Sequence, residues 1–170
     1  MKTLVIAIFG SMLLACTPAL NWRELPAANE HLRALFPAKP VTATRNWKIQ
    51  ANTLPMTLTA VKVSGAQFAA GYVPVSNAQA QSVARAWGEA MLANIQAKPE
   101  AKNQFNPISV PGALGAFEII ALGTVEGAPG RLHAQFAWQE NAVLATIVVG
   151  PIDSLTAEDA ETFAKSMKLQ

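Results

Sequence analysis

Apolar positions change period along the chain, and the changes mark its elements. From Leu32 onward, short apolar runs bounded by Pro, Gly and Asn predict strands over 32–36, 41–50, 54–64 and 66–75, with Ser64 and Gly65 as the turn of a hairpin. Over 77–97 the spacing becomes helical: Val83, Trp87, Met91 and Ile95 recur every fourth residue, with Ala80, Ala84 and Ala90 filling the same side. Ser76 and Gln79 supply a capping-box signal at its start, and Pro99 lies beyond its end. The polar, proline-containing stretch 98–112 reads as a loop. Three more strands are predicted over 113–125, 131–139 and 142–150, joined by hairpin-like connections at 127–130 and 140–141. A second helix over 157–167 is announced by Thr156, with Glu158 and Asp159 suited to the positive end of the helix dipole.

Two of the strands are apolar on both faces. Val143, Ala145, Ile147 and Val149 oppose Leu144 and Val148, and Phe117, Ile119 and Ala121 oppose Ile120 and Leu122. Such strands need cover on both sides. One helix per face supplies it, so the predicted fold class is α+β: an antiparallel sheet of six or seven strands sandwiched between two helices, a single domain over 31–170.

The first fifteen residues have a different character. Lys2 is followed by an apolar stretch, Leu4 to Phe9 and Met12 to Leu14, broken by Gly10 and Ser11. It is well short of the roughly 20 residues a spanning helix needs, so 1–15 is expected to be a signal peptide. Leu13-Leu14-Ala15-Cys16 resembles the lipobox of bacterial lipoproteins, with leucine at −3, alanine at −1 and cysteine at +1. Leu14 at −2 departs from the small residue usual there. The resemblance implies a diacylglycerol on the Cys16 thiol, cleavage before Cys16, acylation of the new amino terminus, and membrane lipid as a partner through acylated Cys16. Two or more fatty chains hold a protein stably on a bilayer where one does not. Thr17 at +2 is not aspartate, which by the same resemblance implies sorting to the outer membrane, facing the periplasm. Ordinary secretion with cleavage after Thr17 or Ala19 is the alternative. Residues 16–30 read as a tether, with a short strand around Trp22.

The order of strands, long helix, strands and final helix, with Trp22-Arg23-Glu24-Leu25 and Leu35-Phe36-Pro37-Ala38-Lys39-Pro40 near the start, resembles the PsbP and Mog1-like fold. That resemblance implies the two-helix α/β/α sandwich. Its members have unrelated roles, so it transfers no active site.

Charge and chemistry narrow the function by exclusion. Beyond Lys2, twelve Lys and Arg face eleven Asp and Glu with both signs scattered, which is no footprint for nucleic acid. Cys16 is the only cysteine, so no intramolecular disulfide or cysteine metal cluster is expected. His31 and His133 lie far apart without partners at ligand spacing, and no metal or cofactor is implied. Nucleophile-elbow and phosphate-cradle patterns are absent. Asp153 and Asp159 read as caps of the last helix, and Glu118 and Glu126 are the only carboxylates whose placement suggests chemistry. On the strand over 131–139, Arg131, His133, Gln135 and Gln139 alternate with Leu132, Ala134, Phe136 and Trp138. The polar set reads as a solvated strand face or, functionally, as a recognition patch for an envelope protein or polymer. Of the four tryptophans, Trp87 and Trp138 fall on core faces, and Trp47 is the most free to be exposed.

These readings leave three functions. The first is a non-enzymatic binding or assembly module of the cell envelope with a protein partner, where tethering raises local concentration. The second is a carrier or sensor of a small apolar ligand, lodged between helix and sheet where alanines and glycines leave space. The third, an envelope hydrolase, lacks a recognisable catalytic set.

Overall fold

The computed structural model describes residues 20–49, 52–97 and 105–170. The leader, Cys16 and residues 98–104 of the predicted 98–112 loop lie outside them. Ten strands and two helices follow in the order β1 (Arg23–Ala27), β2 (Leu32–Phe36), β3 (Val41–Ile49), β4 (Asn52–Val63), β5 (Ala66–Pro74), α1 (Asn77–Asn94), β6 (Asn106–Ile108), β7 (Gly115–Val125), β8 (Ala128–Trp138), β9 (Ala142–Pro151), α2 (Ala157–Ala164) and β10 (Lys168–Leu169).

Seven strands form one antiparallel sheet in the order β3-β4-β5-β9-β8-β7-β6. The β4–β5 hairpin turns on Ser64 and Gly65, both at positive φ, as the sequence indicates. The β7–β8 turn is Glu126-Gly127, tighter than the 127–130 connection expected, so Ala128, Pro129 and Gly130 belong to the strand.

The expected sandwich of one sheet between two helices is wrong. The described residues are 54% strand and 18% helical, in two sheets, and the fold is β-sandwich-like. What overturns the expectation is a second sheet, β1-β2-β10, which shares one face of the large sheet with α2. Part of the expected tether therefore belongs to the domain: 23–27 is β1, paired along its length with β2. The last helix stops at Ala164, and Lys168 and Leu169 pair with Arg33 and Leu32 instead of continuing it. On the outer side of the small sheet, Glu24 takes a hydrogen bond from Arg33 (2.9 Å) and another from Lys168, linking all three strands.

Each face of the large sheet has its own core. Under the small sheet and α2, Leu32, Ala34 and Phe36 meet Phe68, Leu144, Val148 and Phe163. Phe163 is the keystone, edge-on to Phe36 (5.4 Å) and to Phe68 (5.3 Å). Under α1, Trp87 packs edge-on against Phe136 (5.6 Å), which stacks on Phe117 (5.1 Å). Two glycines let α1 come this close. A Cβ on Gly71 would sit 2.5 Å from the Trp87 ring, and one on Gly123 would collide with the backbone carbonyl of Ile95. That same carbonyl accepts a hydrogen bond from the Thr124 amide at 2.6 Å, fixing the end of the helix to β7.

Candidate functional site

Between the C-terminal half of α1 and the large sheet lies a cavity of about 500 Å³, within the range typical of small-molecule sites. Its construction follows from residue size and strand period. On β5 the positions facing α1 are Gln67, Ala69 and Gly71; Ala69 keeps the cavity floor low, while the space over Gly71 is taken by the Trp87 ring. Neighbouring strands contribute Met56 and Leu58 from β4, Ile147 and Val149 from β9, and Leu132 from β8; Trp87, Met91 and Ile95 form the roof. Trp47 of β3, expected to be the most exposed tryptophan, is half-buried and lines the cavity with its ring 5.6 Å from that of Trp87. Polar groups lie toward the opening: Gln67, Asn94, Thr124 and Glu126 are all exposed. Glu126 is held by Lys62 at 2.7 Å.

The other face of the sheet carries the buried polar cluster. His133 Nε2 lies 2.8 Å from Glu118 Oε1, and the Gln135 side-chain amide donates to the same oxygen at 3.1 Å. His133 is 4% and Gln135 7% exposed, so the predicted solvated patch of Arg131, His133, Gln135 and Gln139 does not form. The physical reason is that α2 lies across β8 and β9 and covers the middle of that strand. Arg131 spends Nη1 on the Leu155 carbonyl (2.9 Å), and the Gln139 amide reaches the Gly112 carbonyl at 3.3 Å. Burial pushes the Glu118 carboxyl up, but hydrogen bonds from His133 and Gln135 and the charges of His133 and Lys165 outweigh it, holding the group below its ordinary range. An ionised Glu118 locked to two donors ties strands together and is a poor proton donor. A hollow of about 320 Å³ lies beside Gln135, with Ser109 and Lys165 at its wall.

The remaining candidates are placed individually. His31 stacks on Tyr72, with ring centroids 3.6 Å apart. Among the described residues no three His, Cys, Asp or Glu side chains gather into a metal-binding group. Glu118 and Glu126 point into different settings, the α2 face and the cavity mouth, and form no carboxylate pair. Asp159, expected as a cap of α2, is instead capped by Thr156: its amide donates to Thr156 Oγ1 at 3.0 Å, and Asp159 Oδ2 accepts from that hydroxyl at 2.7 Å. Asp153 is exposed in the turn before it. Sequence reasoning placed a space between helix and sheet from its small residues but named none of its walls. The signal available was Gln67, Ala69 and Gly71 alternating on one strand face opposite a helical Trp87.

No family model matches the chain, and no curated protein matches it in sequence. A crystal structure from Bacteroides thetaiotaomicron VPI-5482, at 1.50 Å resolution, is similar in fold, with a TM-score of 0.50 at 9% identity. The match covers 86% of this chain and 48% of that one, so this chain spans about half the length of the protein it resembles. At that identity the likeness concerns the fold alone.

Proposed function

We propose that this protein is a lipid-anchored envelope protein that carries or senses a small apolar ligand in the cavity beneath α1. One observation carries the ligand reading: an open space of about 500 Å³ walled by two tryptophans, two methionines and aliphatic side chains, with its polar groups confined to the opening. A packed core closes such space, because interiors approach the density of organic crystals. Methionine suits a wall that must accept varied shapes. The anchoring half rests on the lipobox-like Leu13-Leu14-Ala15-Cys16 and on the leader before it. No helix among the described residues is long and apolar enough to cross a membrane, and acylation at Cys16 supplies attachment without one.

Ala69→Phe tests the ligand reading by placing a ring where the floor is lowest. The variant is expected to keep cooperative unfolding yet lose at least tenfold in affinity for 1-decanol, followed by tryptophan fluorescence. Native mass spectrometry of wild-type protein extracted from cells is expected to reveal a bound small molecule. A wild type that neither carries a ligand nor responds to 1-decanol overturns the reading.

A protein-docking role is the second reading. It is favoured by Ile120 and Leu122, apolar side chains 52% and 64% exposed on β7, beside the half-buried Arg131. Reproducible crosslinking of one envelope protein through Ile120 in intact cells is the result it requires.

A further inference from the structure

The cavity has a direction. Strand register puts Lys62 of β4 opposite Gln67 of β5 at one end, and Met56 lies six residues along β4 from Lys62, roughly 20 Å at the rise of a strand. At the Met56 end the walls are the indoles of Trp47 and Trp87. At the Lys62 end stand the amides of Gln67 and Asn94, the Thr124 hydroxyl and the Glu126 carboxylate. An occupant is therefore elongated and amphiphilic, with its apolar part toward the tryptophans and its polar part at the mouth.

The mouth also sorts heads by charge. Among the described lining residues Glu126 is the one charged group, and Lys62 Nζ already pairs with it at 2.7 Å. A carboxylate head would meet the charge of Glu126 beside that of Lys62, and an ammonium head the reverse, so the pair offers neither head a net counter-charge. Either would surrender part of its hydration without a free counter-charge in return. The amides and the hydroxyl, in contrast, both donate and accept. Resting on the ligand-binding reading above, we infer that the cavity selects amphiphiles with an uncharged, hydrogen-bonding head, such as a long-chain alcohol or a monoacylglycerol, over fatty acids and fatty amines.

The test uses the full chain with Cys16→Ser, which avoids detergent, and three probes of equal chain length at pH 7: 1-monodecanoylglycerol, decanoate and decylamine. Tryptophan fluorescence reports occupancy directly, since Trp47 and Trp87 line the apolar end. The monoacylglycerol is expected to bind at least tenfold more tightly than either charged probe. Gln67→Leu combined with Asn94→Leu is expected to weaken it about fivefold and leave decanoate unchanged; both residues are exposed, so the fold tolerates the change. Equal binding of all three, or preference for a charged head, overturns the head-group inference while the cavity reading stands. No response to any probe removes the cavity reading itself.

Discussion

Single side chains divide the two faces of the large sheet between different tasks. On the α1 side, Ala69 is small, and space results; on the α2 side, Glu118, His133 and Gln135 are polar, and a cross-strand tie results. The tie makes stability depend on pH with a definite sign. Because the folded state holds the Glu118 carboxyl below its ordinary value of 4.5, its contribution is fully present above that value and is lost as pH falls through the lower, folded one. The groups facing it are His133, Gln135 and, from α2, Lys165 and Glu161, the last itself lowered by its hydrogen bond from Lys165. Denaturant midpoints measured from pH 7 down to about pH 3 are expected to fall less steeply for Glu118→Gln than for the wild type. Parallel slopes would mean that the tie carries no linked proton. The alternation of Arg131, His133 and Gln135 could not disclose this in sequence, because a wet strand face and a self-satisfied buried one have the same period. Only the position of α2 separates them.

The two helices are capped differently, and the difference is measurable at the level of the element. Thr156 accepts the Asp159 amide, as its place before the acidic pair suggests. The Ser76 side chain makes no bond to the backbone of α1; its hydroxyl donates to the Gln79 side chain at 3.0 Å, so the predicted capping box is made only between side chains. Thr156→Ala is expected to cost about 1 kcal/mol in thermal or denaturant unfolding, and Ser76→Ala less than about 0.5 kcal/mol. Equal losses would refute the distinction. Elements with many periods were legible from sequence, since β2 and the start of α1 fall where the apolar pattern puts them. The pairing of β1 and the existence of β6 and β10 were not. β1 has exposed Arg23 and Glu24 and contains Pro26, and β6 and β10, at three and two residues, are too short to show alternation. β10 exists because β2, far off in sequence, is there to pair with it, and such pairing leaves no local trace. Leaving Lys168 and Leu169 unpaired and the strand around Trp22 in the tether turned a second sheet into a bare helix layer.

For the whole molecule the decisive question is attachment. Protein from the native membrane fraction is expected to begin at Cys16 and to carry acyl mass, and Cys16→Ser to move it to the soluble fraction. A mature terminus downstream of Cys16 without acyl mass would leave a freely secreted domain. Whatever precedes Leu20 enters the fold at one place. The chain's first described strand and its last both lie against β2, with Glu24 bridging to Lys168 across it. A tug on the leading segment is thus borne by a three-strand clasp that fastens the beginning of the fold to its end. The clasp and the cavity lie on opposite faces of the large sheet. A pull on the clasp is taken up on one side of the large sheet, and the space beneath α1 on the other keeps its shape.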